Sequence, residues 1–226
     1  MTADLLPSRP SIAHYGLSAA RRLIAYGCAV PAPVAAGPPP RWPAVLTWQA
    51  ESTPRLESAR VQVTERGLKA AGRIVGAECA AHPAFNASYD LLLDEAGITR
   101  RLSMRSVVAQ GERQLSMSRN AEGFWLIDHG QGPRRAEFGG ALDVDVVLSP
   151  LFNALVVRRL GLHLGAVDVK LPVVYVTLPD LTVSGAEHHY TSGAHGITAV
   201  TPLGTVAITV DDEGFVLDYP GLAHRV

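Results

Sequence analysis

Residues 139–165 change hydrophobic period partway along and carry four charges inside an otherwise apolar block, and no other stretch restricts the fold so strongly. Before Ser149 the period is two: Leu142, Val144, Val146 and Leu148 face one way and Asp143, Asp145 and Val147 the other, the pattern of a strand with one buried face. After Ser149 the pattern is helical. Ser149 suits the N-cap, Pro150 suits the first helical position because its missing N–H would be unpaired there anyway, and Gly161 supplies a stop about three turns later. Leu151, Phe152, Ala154, Leu155, Val156, Val157 and Leu160 make this helix apolar nearly all round, with Asn153, Arg158 and Arg159 as its polar positions. Such a helix belongs in an interior. Burying its large side chains is worth roughly 1.5–3 kcal/mol each, far more than a surface ion pair returns, so packing places it.

From Trp42 onward the remaining chain reads as hairpins. Strands are expected at 59–64, 68–77, 89–93, 98–110, 112–118 and 124–128, and after the helix at 167–177, 181–183, 188–191, 197–201, 205–210 and 215–219. Turn signals such as Asp94-Glu95-Ala96-Gly97, Asn120-Ala121-Glu122-Gly123 and Asp211-Asp212-Glu213-Gly214 separate them. One flat sheet covers a single side of a helix, so a helix apolar on all sides requires the sheet to curl around it. The expected architecture is mainly β: a long curled antiparallel sheet wrapped around a single buried α-helix, occupying residues 45–226. Gly139-Gly140, Pro172 and Pro179 suit bends or edges, where a missing side chain or N–H costs least. A curled sheet also has a mouth through which an apolar ligand can enter.

Composition narrows the function classes. Of 226 residues, 47% are hydrophobic and 18% charged, enough for a substantial core. Twenty basic residues against 21 acidic give a formal net charge of −1, and no cationic run exceeds a pair, so neither nucleic acid nor an anionic membrane surface is indicated. Prolines and charges interrupt every apolar run before the ~18 residues a membrane-spanning helix needs. Cys28 and Cys79 stand in unlike contexts and predict no structural disulfide. Residues 1–44 differ in kind, with six of the 16 prolines falling in 31–43, and read as a disordered or partly helical extension with a proline-rich linker. Arg21-Arg22 ahead of Leu23-Ile24-Ala25-Tyr26-Gly27-Cys28 has the outline of an export signal. Tyr26, Gly27 and Cys28 dilute its apolar region, however, and Pro31 and Pro33 interrupt it, so a soluble, cytoplasmic protein is expected.

Several residues could carry chemistry. Asp143 and Asp145, two apart on one strand face, place their carboxylates about 7 Å apart, close enough to share a divalent metal or to act as an acid/base couple. The competing reading is ion pairing with Arg158 or Arg159, since a charge inside a roll is tolerated only when paired. Those two arginines are adjacent on the helix and point about 100° apart, so they do not grip one anion together. Either they are structural, or one stands at the mouth and holds a phosphate or sugar headgroup while an acyl chain lies over Leu151, Phe152 and Leu155. Glu187, His188, His189 and His195 look like a metal cluster until strand alternation separates neighbours, leaving His189 with Glu187 or His188 with Tyr190 on a face that is more often merely polar. Trp125, Phe124 and Phe138 fit a lipid or sugar site, or simply the core. The sequence has no serine nucleophile elbow, no phosphate-binding glycine loop and no Cys-x-x-Cys, and no metal or cofactor is expected.

Taken together, Trp48 and Glu57, the Leu142-Asp143-Val144-Asp145 strand, Ser149-Pro150, Asn153-Ala154-Leu155, Arg158-Arg159-Leu160 and the closing Asp211-x-x-Gly214-x-Val216-x-x-Tyr219-Pro220 resemble a family of bacterial glycolipid-binding proteins first known as a domain of unknown function. The order and spacing of the central strand and helix are the specific part; the carboxy-terminal motif is a hairpin turn, informative only beside it. What the resemblance implies is a spiral β-roll, a many-stranded sheet wound about one helix, akin in shape to lipoprotein carriers that hold acyl chains in a half-barrel. Val156 stands where the family usually has a proline, which eases a continuous helix here and loosens the carry-over to Arg158 and Arg159. The expected function is non-enzymatic binding of a lipid or glycolipid inside the roll, with Arg158, Arg159, Asn153, Leu151, Phe152, Leu155 and Trp125 as ligand contacts and Asp143 and Asp145 as structural ion pairs. The alternatives are a metal-assisted or acid/base enzyme using Asp143 and Asp145, and a scaffold whose sheet edge meets a protein partner or a second copy.

Overall fold

The computed structural model describes residues 42–194 and 196–226. Apart from residues 42–44, the expected amino-terminal extension and linker lie outside the described residues, as do Cys28 and His195. Strands β1 (Ala44–Ala50), β2 (Arg55–Thr64), β3 (Gly67–Gly76), β4 (Phe85–Leu93), β5 (Thr99–Val108), β6 (Gly111–Arg119), β7 (Trp125–Asp128) and β8 (Arg134–Ala136) form an unbroken run of antiparallel neighbours. After a single 3-10 turn at Phe138–Gly140 come β9 (Asp143–Val146), α1 (Pro150–Leu160), β10 (Val167–Val176), β11 (Val183–Gly193), β12 (Gly196–Thr201), β13 (Gly204–Val210), β14 (Val216–Tyr219) and β15 (Ala223–Arg225). All fifteen strands belong to one sheet, from β8 at one edge through β1 and β15 at the centre to β9 at the other. Its halves join where β1 pairs with β15, Trp48 opposite Arg225.

Alternation sets which face turns inward. In β4, Phe85, Ala87, Tyr89, Leu91 and Leu93 are buried while Asn86, Asp90 and Leu92 are exposed. The inward faces enclose α1, whose first eight residues, Pro150 to Val157, are buried; Arg158, Arg159 and Leu160 are half-buried. The helix ends as its glycine requires: Gly161 adopts the left-handed conformation at φ 62°, and the N–H of Leu162 reaches back to the Val157 carbonyl at 3.0 Å. Curling brings the far parts of the sheet together. The Thr99 N–H donates to the Leu142 carbonyl and the Trp125 indole N–H to the Ala141 carbonyl, both at 3.0 Å, tying the lead-in to β9 against β5 and β7.

Two local expectations need correction. Asp143, Val144, Asp145 and Val146 are all buried, so β9 has both faces covered instead of one, and it pairs with β10 in parallel, Asp143 opposite Val173 and Asp145 opposite Tyr175. That pairing explains why the fold holds a helix at this point. Antiparallel neighbours are joined by a tight turn, whereas parallel neighbours need a crossover, and α1 is that crossover. The two short strands expected at 181–183 and 188–191 give way to one: residues 181–182 lie outside any strand, and β11 starts at Val183 and runs through Gly185 and 188–191 to Gly193. Phe138 of the 3-10 turn packs there, 3.4 Å from where a Cβ on Gly185 would stand, so a small residue makes room for the cover without ending the strand. No helix among the described residues is long and apolar enough to cross a membrane.

Candidate functional site

Three polar groupings lie within the roll, each reached from a different part of α1 or β9. The first holds the helix N-terminus. Ser149 occupies the N-cap with extended backbone angles, but its side chain makes no capping bond. Its hydroxyl donates to Glu57 Oε1 at 2.7 Å, beside the Tyr89 hydroxyl at 2.6 Å, and the Leu151 N–H also bonds the Glu57 carboxyl. Glu57 points inward because it shares a strand face with Ala59 and Val61. A carboxyl from β2 therefore satisfies the helix start, where orphan N–H groups and the dipole favour an acceptor. Burial pushes Glu57 up to about 7 against the pull of these hydrogen bonds and of Arg55, and its Oε2 has no partner among the described residues. The Tyr89 ring meets Phe152 edge-on at 5.2 Å.

The second grouping holds the other end. Arg159 Nε donates to both oxygens of Asp143, at 2.9 and 3.1 Å, and its Nη2 adds a further bond to Oδ2. Burial raises the Asp143 carboxyl above its ordinary range while this guanidinium holds it back. Arg158 turns away as the 100° rotation between adjacent helical residues requires. It bonds the Glu213 carbonyl and lies 4.3 Å over the Phe215 ring. Both arginines are engaged within the chain, and each faces a different partner.

The third grouping has no ion pair of ordinary length. Asp145, on the same face as Asp143, lies with Oδ2 3.5 Å from His188 Nε2, and its side chain is 10% exposed. His188 Nδ1 is 3.3 Å from the Tyr190 hydroxyl. Asp145 Oδ1 and His188 Nε2 have no hydrogen-bond partner among the described residues. Burial alone pushes Asp145 up to about 7 and His188 down to about 4. The Asp145 charge is felt by Tyr175, Tyr190 and Tyr219, and Tyr219 hydrogen-bonds Thr201. On this inward face of β10 to β12, Tyr190, His188 and Thr201 are buried, Tyr175 and Ala186 are half-buried and Ser184 is exposed, so burial falls away toward one end of the strands.

The other singled-out residues are placed as follows. Leu151, Phe152 and Leu155 are fully enclosed, and Trp125 is buried with its indole N–H on Ala141. Asn153 donates to the Ser149 carbonyl at 3.1 Å. Phe124 lies under the Arg135 guanidinium. Adjacent His188 and His189 point to opposite faces; His189 Nε2 is 2.6 Å from Asp168 on the outside. No group of three or more His, Cys, Asp or Glu among the described residues could hold a metal ion. Sequence reasoning paired Asp145 with an arginine and passed over Tyr175 and Tyr219; the available signal was the i, i+2 spacing of His188 and Tyr190, which puts both on the buried face.

Two clefts accompany these groupings. One of about 410 Å³ lies past the helix C-terminus and is lined by Leu162, Leu164, Ile197, Ile208 and Val210 together with His163, Thr209, Asp211 and Asp212. Leu164 there is 79% exposed. The other, about 740 Å³ and polar, lies where β6 approaches the β10–β11 turn, bridged by Arg113 and Asp180 at 3.4 Å.

The model of a family described as "Putative glycolipid-binding" matches residues 45–225. Among solved structures, a DUF1089 family protein from Pseudomonas aeruginosa superposes with a TM-score of 0.66 over 79% of this chain and 95% of its own, at 24% identity, a likeness that shows the fold alone. No curated protein matches the chain in sequence.

Proposed function

Because the chain belongs to this glycolipid-binding family, we propose that it is a non-enzymatic binding protein whose roll takes a lipid or glycolipid. The acyl portion lies in the cleft formed by Leu162, Leu164, Ile197, Ile208 and Val210. The observation that carries this reading is Leu164, an apolar side chain left 79% exposed in a cleft whose lining is more apolar than polar, an arrangement that suits an apolar occupant. Leu151, Phe152 and Leu155 offer no open surface to an acyl chain, which favours the cleft over the helix flank. Arg158 and Arg159 serve as internal ties in this reading, and Asp143, with both oxygens on Arg159, is a poor partner for a metal or proton shared with Asp145.

The test is native mass spectrometry of protein purified without detergent, together with binding of a fluorescent fatty acid. Co-purifying lipid and saturable probe binding are expected, and Leu164→Glu should weaken the probe by about ten- to a hundredfold, the worth of one buried leucine. Repeated absence of lipid with no probe binding overturns the proposal.

A further inference from the structure

Strand pairing gathers on the outside of the roll charges that the linear sequence scatters. Register sets Lys69, Leu92, Arg101, Ser118, Leu126 and Arg135 side by side across β3 to β8, each directly opposite the next. Lys69, Arg101 and Arg135 are exposed, the two leucines between them are each 37% exposed, and the row holds no carboxylate. Strand spacing puts these cations about 10 and 14 Å apart along a row of about 24 Å. In the next row Arg60 stands opposite Ala71 and opposite Val45, which is 67% exposed. Arg60, Lys69 and Arg101 border a depression of about 600 Å³ over the small side chain of Ala71. The ion pairs among the described residues involve none of Arg60, Lys69, Arg101 and Arg135. Of the carboxylates on this face, Glu112 is bridged to Arg105 and Asp128 accepts the Gly130 and Gly132 N–H groups, so Asp90 alone stands in the depression against three cations. The turns beyond the row carry Glu65, Glu95 and Glu122 against Arg66, so the basic character belongs to the face and not to its end.

Such a face calls for an anionic partner. The outer face of β2 to β6 offers no aromatic side chain on which a nucleic-acid base could stack. A protein partner is held chiefly by a central anchor in a pocket, whereas here single leucines alternate with cations over a broad surface. A leaflet of anionic phospholipid matches both elements, phosphates meeting the cations while the leucine tips enter the headgroup boundary. We infer that the Lys69 to Arg135 row and the adjoining Arg60 depression form the face by which the protein docks on an anionic phospholipid membrane. The inference rests on the lipid-binding reading above and adds the surface at which the cargo is met. The row lies at the end of the roll where the apolar cleft opens. Leu92 and Arg101 flank the β4–β5 turn, and a Cβ on Gly97 in that turn would stand 3.2 Å from the Arg159 Cβ at the helix C-terminus, past which lies the cleft.

The experiment is cosedimentation of the full chain with vesicles of phosphatidylcholine alone and of phosphatidylcholine and phosphatidylglycerol in equal parts. Binding to the anionic vesicles is expected, at least about tenfold tighter than to the neutral ones and weakening as salt rises and screens the cations. Lys69→Gln combined with Arg101→Gln should weaken anionic-vesicle affinity about thirtyfold, and Leu92→Ser combined with Leu126→Ser about tenfold. Lys170→Gln, which removes an exposed cation on β10 away from the row, should change it less than twofold, and all these variants should bind the fluorescent fatty acid in solution as the parent does. The docking inference falls, and fatty-acid binding stands on its own, if neutral vesicles bind as well as anionic ones or if Lys170→Gln matches the row variants. It falls equally if a single-stranded oligonucleotide displaces the vesicles, or if the row variants abolish a dimer formed without vesicles. If the vesicles bind as expected and the fatty acid does not bind at all, the cargo reading falls and the docking face stands.

Discussion

The Ser149 hydroxyl bonds Glu57 Oε1 at 2.7 Å between residues 92 positions apart in the chain, so the start of the only α-helix among the described residues is fixed by a carboxyl from the second strand. Local chemistry would have had Ser149 cap its own helix. The roll substitutes a charged-type acceptor that also takes the Tyr89 hydroxyl and the Leu151 N–H.

Glu57→Ala removes the acceptor for these three donors at once and leaves them unpaired in the interior. The expected cost is about 3 kcal/mol or more in urea unfolding, whereas Glu57→Gln, which keeps an acceptor oxygen, should cost distinctly less. Equal losses in the two variants would contradict this account.

Stability should depend on pH in a defined direction. Glu57 and Asp145 rise to about 7 in the folded protein, so each holds its proton more tightly than in the unfolded chain, and the stability they contribute is full below the ordinary carboxylate range and is lost as pH climbs to about 7. His188, lowered to about 4, acts oppositely: its contribution is present above its ordinary value of 6.5 and lost as pH falls toward 4. Two carboxyls outweigh one imidazole, so unfolding free energy should fall between pH 4.5 and 7. Glu57→Gln should flatten that slope by an amount on the order of 3 kcal/mol across the window. Urea titrations of both proteins at the two ends of the window measure it.

Gly72 faces Tyr89 across the β3–β4 pair, and a Cβ there would overlap the phenol ring. Gly72→Ala should destabilise the protein by about 1–3 kcal/mol through overpacking and should disturb the Tyr89 bond to Glu57. Thermal unfolding and the tyrosine near-ultraviolet dichroism report the two effects separately.

Arg159→Met leaves the buried Asp143 carboxyl without its partner, at an expected cost of about 3–5 kcal/mol. Pairing it with Asp143→Leu removes the orphaned charge and should regain at least half of that. A double variant no better than the single one would show that the pair is not coupled as the geometry indicates.

Much of this fold was legible in the sequence because its signals are local. Ser149-Pro150, an apolar run and Gly161 delimit the helix to the residue, and period-two alternation locates most of the longer strands. What stayed hidden depends on partners distant in the chain. The alternation of β9 is the same whether one face is covered or two, so neither its burial nor its parallel pairing with β10 could be read from it. The short strands β8 and β15 are too brief to show a period. Adjacency showed that Arg158 and Arg159 diverge, but only the wound sheet decides that Arg159 meets Asp143 and that Asp145 meets a histidine from β11. The residues of the polar grouping around Asp145 come from β9, β10, β11, β12 and β14, and no spacing within any one of them reveals the set.

The central position of the β1–β15 pair has a consequence for biosynthesis. Strands β1 to β8 can zip up hairpin by hairpin as they leave the ribosome, yet β1 remains an open edge until every other strand of the sheet has been made. During translation that edge is an exposed template for pairing with a neighbouring nascent chain. Cellular yield should therefore be governed by how fast the carboxy-terminal half arrives to cover it, more than by how stable the finished protein is.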